Sequence, residues 1–157
     1  MKHARLRTLL ALAGTALLAA ATGAGADPIR FAVLGDTQGL CEAIAVNDAV
    51  FSKIVAAVLA TDPPVDFVVV CGDLVDGTKD DEVLLGQYAH WRQVAGPWYE
   101  AGLPVYVLPG NHDLANRETY ALLWRQSFPE LPDNGPAGEE TLYYSFDAGP
   151  VHLSMVS

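Results

Sequence analysis

The sequence predicts an α/β protein in which a mostly parallel sheet is followed by a strand pair. Short apolar runs, typical of buried parallel strands, alternate with segments whose apolar residues repeat at helical spacing. Near the carboxyl terminus, two segments alternate apolar and polar residues around a Gly-Pro turn. That last pattern is typical of two antiparallel strands.

Three strands and three helices follow one another in the first part of the domain. The strands are predicted over residues 29–34, 65–71 and 105–108. The helices are indicated by three apolar stripes: Phe51, Ile54, Val55 and Val58; Leu84, Tyr88, Trp91 and Ala95; Tyr120, Leu123, Trp124 and Phe128. The first helix ends at residues 61–64, the second breaks before Pro97, and Asn116 is the predicted N-cap of the third.

The strand pair comes after a polar loop rich in Pro and Gly over residues 129–141. Residues 142–146 alternate first, residues 147–150 turn the chain, and residues 151–155 alternate again. One face of each strand is therefore expected to be buried.

The first 26 residues have the pattern of a secretory signal peptide. Lys2, Arg5 and Arg7 precede an apolar run over residues 9–21, and Ala24-Gly-Ala26 forms a small-residue cleavage site. An uncleaved membrane anchor is the alternative, but the apolar run is shorter than the ~20 residues that a span requires. We therefore expect a domain over 27–157 that is secreted or periplasmic and free of the membrane after cleavage.

The composition of this domain excludes some partners and favours others. Without the signal peptide it has six Lys and Arg against nineteen Asp and Glu, a net charge of −13. Such a surface repels nucleic acid unless a local patch or a bound cation reverses the sign. Clustered carboxylates that attract metal ions would fit this charge.

Two cysteines remain after cleavage. Export would permit a disulfide, but spacing alone does not establish one, and unpaired thiols are favoured. Cys71 ends the second strand, where we expect a buried thiol that behaves as a small apolar residue. Cys41 is expected in a loop.

Polar residues follow each of the three strands directly. The strand ends are Gly35-Asp36-Thr37-Gln38, then Gly72-Asp73-Leu74-Val75-Asp76, and finally Gly110-Asn111-His112-Asp113. In open parallel sheets, ligands bind outside the carboxyl ends of the strands. Asp36, Asp73 and Asn111 are therefore expected to face one crevice.

The residue types in this crevice suit divalent metal ions. A carboxylate from one strand can bridge two ions about 3.5–4 Å apart. His112 is placed to donate a proton to a leaving oxygen, and either Asp113 or Asp76 would orient its imidazole. A single Gly-Asp after a strand is common in turns that have no functional role. Three strands that each end in Gly followed by Asp or Asn indicate a site.

The motifs "GDTQ", "CGDLVD" and "PGNHD" resemble the first three motifs of the calcineurin-like metallophosphoesterases, and "YYSFDAGPVHLSMVS" resembles the strand pair that follows them. The resemblance implies the amino-terminal part of an α/β/β/α sandwich with two divalent metal ions (Mn, Fe, Zn or Mg). It also implies roles for particular residues: Asp36 binds the first metal, Asp73 bridges, Asn111 binds the second, His112 acts on the leaving group with Asp113 as its partner, and Asp76 supports the site.

The sequence departs from the family pattern at two places. Gln38 stands where the family usually has His, and its amide oxygen would coordinate the metal directly or through water. The family also supplies later histidines, including a Gly-His-x-His motif. Here only His152 follows His112, and we expect His152 to be structural and His90 to be exposed. We therefore expect a domain truncated at its carboxyl terminus.

Two functions remain open from the sequence. The first is an exported phosphoesterase that hydrolyses a phosphomonoester, phosphodiester or pyrophosphate bond of a small molecule through a metal-bridging hydroxide. The second is a non-catalytic metal-binding fragment. A Rossmann-type nucleotide binder fits poorly, because no Gly-x-Gly-x-x-Gly follows the first strand.

Overall fold

The computed structural model describes residues 28–41, 44–114 and 118–156. The predicted signal peptide and the predicted cap Asn116 lie outside these residues. The elements, in chain order, are β1 (Phe31–Leu34), β2 (Gln38–Cys41), β3 (Ile44–Val46), α1 (Asp48–Leu59), β4 (Phe67–Cys71), α2 (Asp81–Val94), α3 (Gly96–Glu100), β5 (Val105–Leu108), α4 (Tyr120–Ser127), β6 (Tyr144–Ala148) and β7 (Val151–Met155).

The predicted fold class is confirmed. A parallel sheet has the strand order β1-β4-β5, with Val33 opposite Val69 and Val69 opposite Tyr106. The β6–β7 pair is antiparallel, with Phe146 opposite Leu153. Because all three parallel strands run in one direction, their carboxyl ends form one edge, as the sequence predicts.

The core of the domain contains three fully buried tryptophans. Each indole N–H donates a hydrogen bond: Trp91 to the hydroxyl of Thr37, Trp98 to the carbonyl of Val55, and Trp124 to the carbonyl of Thr141. Burying these large rings with their polar atoms satisfied stabilises the helical layer strongly. In the described part of the chain, no helix is both long and apolar enough to cross a membrane.

Aromatic rings join the β6–β7 pair to the sheet. Phe146 stacks on Tyr106 with 3.6 Å between ring centroids and meets the edge of Phe67 at 5.5 Å. These contacts cover the amino-terminal end of this sheet face. Val33, farther along the same face, is left 58% exposed.

Two local predictions are wrong. Cys71 is exposed, because it lies on the face of Val69 and Val33 beyond the covering rings. Cys41 ends strand β2 of a β2–β3 hairpin that was not predicted, and both thiols are free. The prediction that the second helix breaks before Pro97 is confirmed, since α2 ends at Val94; Pro97 then lies in the first turn of α3, where its missing N–H costs nothing.

Candidate functional site

Backbone hydrogen bonds bring the three strand ends together. The N–H of Asp36 donates to the carbonyl of Gly72 at 3.1 Å, and the N–H of Gln38 donates to the carbonyl of Asp73 at 3.0 Å. The N–H of His112 donates to Oδ1 of Asp73 at 3.0 Å. The loop after β4 therefore contacts the loops after both neighbouring strands.

The two candidate metal-binding carboxylates share an uncommon backbone conformation. Asp36 has φ of 55° and Asp73 has φ of 51°, both in the left-handed region. Residues other than Gly pay roughly 1–3 kcal/mol there, although Asp tolerates it better than most. Surrounding contacts must hold both residues in place, which is a common property of functional sites.

Two glycines permit the close approach of the loops. Gly72 has φ of 80°, and a Cβ on it would lie 2.8 Å from Cα of Gly110. A Cβ on Gly110 would overlap with Oδ1 and the backbone nitrogen of Asp73. The backbones after β4 and β5 are therefore in direct contact, and any side chain here would displace Asp73.

Asp113 is fully buried and holds the two loops together. Its carboxylate accepts hydrogen bonds from the N–H of Leu74 at 3.2 Å and from the N–H of Gly110 at 2.8 Å, and its carbonyl accepts one from the hydroxyl of Tyr88 at 2.8 Å. Burial raises the pKa of this carboxyl to about 7, against the opposing effect of the backbone hydrogen bonds. Through these hydrogen bonds, Asp113 connects the loop after β4 to the loop after β5.

The imidazole of His112 is oriented by Asp76. Nδ1 donates to the carbonyl of Asp76 at 2.7 Å and lies 3.8 Å from Oδ1 of the same residue. The hydrogen bond raises the pKa of His112, and desolvation partly opposes it. Because a carbonyl only accepts, Nδ1 carries its hydrogen and Nε2 is left for a substrate. The contacts thus favour Asp76 over Asp113 as the orienting residue.

Thr37 links the site to the core. This role was not predicted from the sequence. Its hydroxyl donates to the carbonyl of Leu74 at 3.1 Å and accepts from the indole N–H of Trp91 at 2.9 Å. Thr37 is 4% exposed, so both bonds are shielded from water. Its place between Asp36 and Gln38 was the only available signal.

Two further histidines among the described residues, His90 and His152, lie on the surface beside carboxylates. His90 contacts Asp48 at 2.9 Å and His152 contacts Asp147 at 2.7 Å. The expectation that His90 is exposed is confirmed, since 44% of its side chain is accessible. His152 belongs to β7, and its contact with Asp147 joins two residues that face each other across the β6–β7 pair.

The donors of the site fit a divalent cation in their chemistry. Asp36 and Asp73 supply carboxylates, and Gln38 and Asn111 supply amide oxygens. Oε1 of Gln38 is enclosed and has no hydrogen-bond donor among the described residues, so a bound cation would satisfy it. Within the same residues, no group of three or more His, Cys, Asp or Glu is placed to hold a metal.

A comparison with protein families agrees with this geometry. The family model for calcineurin-like phosphoesterases matches residues 29–156, which include every strand end of the site and the β6–β7 pair. No curated relative matches the chain. The fold and the family match lead to one conclusion: the chain belongs to the calcineurin-like phosphoesterase family.

Proposed function

We propose that this chain is an exported, metal-dependent hydrolase of small phosphate esters or pyrophosphates. Membership of its family indicates phosphoester hydrolysis at the level of reaction class. The observation that carries the finer proposal is the convergence of Asp36, Asp73 and the Asn111-His112 pair on one edge of the sheet. Substrate and ions would meet at this edge.

Each polar residue at the edge has a role in the proposal. Asp36 and Gln38 would hold the first ion, Asn111 would hold the second, and Asp73 would serve as a ligand to both. When bound, the two ions supply Lewis acidity and an activated water. The domain is strongly acidic, so without cations it would repel a phosphate group.

His112 is proposed as the group that stabilises or protonates the leaving oxygen. Its ring is fixed through Nδ1, so Nε2 is the ring nitrogen that would act on the substrate. The hydrogen bond to Asp76 raises its pKa, which favours the protonated form that a proton donor requires. Asp76 is a positioning residue in this scheme.

The decisive experiment compares Asp73→Asn with wild type in the hydrolysis of nitrophenyl phosphate and bis-nitrophenyl phosphate with added Mn²⁺. Asn tolerates the left-handed backbone at position 73, whereas Ala would add strain. We expect turnover to fall roughly tenfold to a hundredfold or more. Asp133→Asn, in an exposed loop, is the matched control. Undiminished turnover in Asp73→Asn would overturn the proposal.

A non-catalytic metal-binding role is the second candidate. Its basis is the small number of ligands: the described residues contain no cluster of three or more His, Cys, Asp or Glu around a common point, so the donors present would hold ions weakly. Titration calorimetry with Mn²⁺ separates the two functions. Tight binding of two ions per chain, with turnover of either ester, would exclude the non-catalytic role.

Export is a separate part of the proposal. It rests on the basic start, the apolar run over 9–21 and the small residues 24–26. Mass spectrometry of the chain after expression in a bacterial host with an intact secretion pathway would show a new amino terminus at Asp27. A full-length chain retained inside the cells would contradict export.

A further inference from the structure

The amide oxygen of Gln38 differs from the other buried polar atoms of the site. Both carboxylate oxygens of Asp113 accept backbone hydrogen bonds, and Oδ1 of Asp73 accepts one from His112. Oε1 of Gln38 is equally shielded but has no donor among the described residues. An enclosed oxygen without a donor is a position where a cation is the natural partner.

The backbone around Gln38 is held on several sides. Gln38 begins β2 and is paired with Val46 of β3. Its N–H is bound to the carbonyl of Asp73, and the preceding carbonyl, that of Thr37, accepts from the N–H of Asn47. The side chain therefore starts from a fixed point close to Asp36 and Asp73.

The donor atoms at this position are all oxygens. Asp36 and Asp73 offer carboxylates and Gln38 offers an amide, whereas a histidine would offer an imidazole nitrogen. Carboxylate and carbonyl oxygens suit Mg²⁺ and Mn²⁺, and imidazole suits Zn²⁺ and Fe²⁺. One side chain thus changes the class of ion that the donor set prefers.

We propose that Gln38 sets the ion preference of the first metal position, favouring Mn²⁺ and Mg²⁺ over Zn²⁺ relative to a site with nitrogen at this place. This inference rests on the proposed metal centre and adds the class of ion to it. Every N or O site binds Zn²⁺ more tightly than Mn²⁺ in absolute terms, so the ratio of the two affinities is the quantity that Gln38 controls.

The test measures ion binding directly. Full-length wild type, Gln38→His and Gln38→Leu are stripped of metal, and each is titrated with MnCl₂ and ZnCl₂ by calorimetry, with free Mn²⁺ followed by electron paramagnetic resonance. We expect Gln38→His to raise the ratio of Zn²⁺ to Mn²⁺ affinity roughly tenfold or more. Gln38→Leu should weaken Mn²⁺ binding, since it removes the oxygen at similar volume.

Gln126→His is the matched control, because Gln126 is exposed on α4 and the same substitution there adds a histidine outside the site. It should leave the ratio unchanged. Three results would overturn the inference. They are an unchanged ratio of Zn²⁺ to Mn²⁺ affinity in Gln38→His, a shift of equal size in Gln126→His, and a wild type that binds neither ion. If circular dichroism shows that Gln38→His does not fold, Gln38→Leu provides the test. A loss of Mn²⁺ affinity in Gln38→Leu would support the inference, and an unchanged Mn²⁺ affinity would overturn it.

Failure of this inference can be told apart from failure of the proposed function. If Asp73→Asn abolishes hydrolysis while Gln38→His leaves the ratio of affinities unchanged, only the ion preference is wrong. If Gln38→His shifts the ratio while Asp73→Asn retains full turnover, the site binds ions as inferred but does not catalyse the reaction.

Discussion

Nδ1 of His112 lies 2.7 Å from the carbonyl oxygen of Asp76, and the carboxylate of the same Asp76 is 3.8 Å away. One residue therefore acts on the imidazole in two ways. Its backbone fixes the ring, and its side chain adds negative charge. A substitution that removes only the charge separates the two effects.

Asp76→Asn should lower the pKa of His112 relative to wild type while leaving the ring in place. The backbone acceptor remains, but one of the charges that raise the pKa is lost. NMR titration of the metal-free protein in chelator measures this directly. If His112 is the proton donor, turnover falls as pH rises through its pKa, so the decline should begin at lower pH in Asp76→Asn. An identical titration curve would contradict the assigned contact.

Asp113→Asn should change how stability depends on pH. Burial raises the pKa of Asp113 to about 7 in the folded state, above its value of about 3.9 in an unfolded chain. Between these values the folded state retains a proton that the unfolded state has lost, so rising pH weakens the fold. Relative to Asp113→Asn, wild type should therefore lose unfolding free energy steadily as pH rises from about 4 to about 7.

Urea unfolding in chelator at several pH values tests this prediction. Above about pH 7 the difference between the two proteins should become constant, because both states of wild type are then ionised. Asp133→Asn, in an exposed loop, should follow wild type throughout. Parallel stability curves for wild type and Asp113→Asn would show that the buried carboxyl does not titrate in this window.

Gly110→Ala should impair ion binding even though it removes no polar atom. The added Cβ would overlap with Oδ1 and the nitrogen of Asp73, so the carboxylate must move. Gly86→Ala on α2 is the matched control, since nothing lies within 4 Å of its Cβ. Calorimetry should show weaker Mn²⁺ binding only for Gly110→Ala, whereas Gly86→Ala should be stabilised by roughly 0.5–1 kcal/mol. Equal Mn²⁺ affinities in the two variants would refute the steric argument.

Thr37→Val should destabilise the domain by about 1–3 kcal/mol. Val has nearly the same shape, but it leaves the indole N–H of Trp91 and the carbonyl of Leu74 without their buried partner. Thr61→Val removes an exposed hydroxyl at the end of α1 and should cost less than about 0.5 kcal/mol. Thermal unfolding of wild type, Thr37→Val and Thr61→Val measures the change in unfolding free energy for each substitution. A cost for Thr37→Val no larger than that for Thr61→Val would mean that the bonds contribute little.

The sequence allowed the convergence of the three strand ends on one edge to be predicted, because parallel topology dictates it. Once strands 65–71 and 105–108 were recognised by their apolar runs, Asp73 and Asn111 had to lie on the same edge of one sheet. The strand over 105–108 was predicted at its observed bounds, since it is short and begins directly after Pro104. The strand-end motifs also contain Gly72 and Gly110, the two glycines at which the loops approach each other.

Contacts between distant residues could not be predicted. The partners of the Asp113 carboxylate include an N–H 39 residues away, at Leu74, and no pattern in a single sequence reveals such a bond. The β2–β3 hairpin was missed because residues 38–46 show neither clear alternation nor a typical two-residue turn. Exposure of Cys71 depends on where the ring of Phe146 stops covering the sheet, which is a tertiary property.

The direct contact between Gly72 and Gly110 has a consequence for the evolution of substrate range. Two backbones that touch, each continuing a hydrogen-bonded strand, leave no room between them for a side chain. New specificity is therefore expected in segments around this contact that carry no proposed metal ligand. The reacting centre would stay constant while its surroundings diversified.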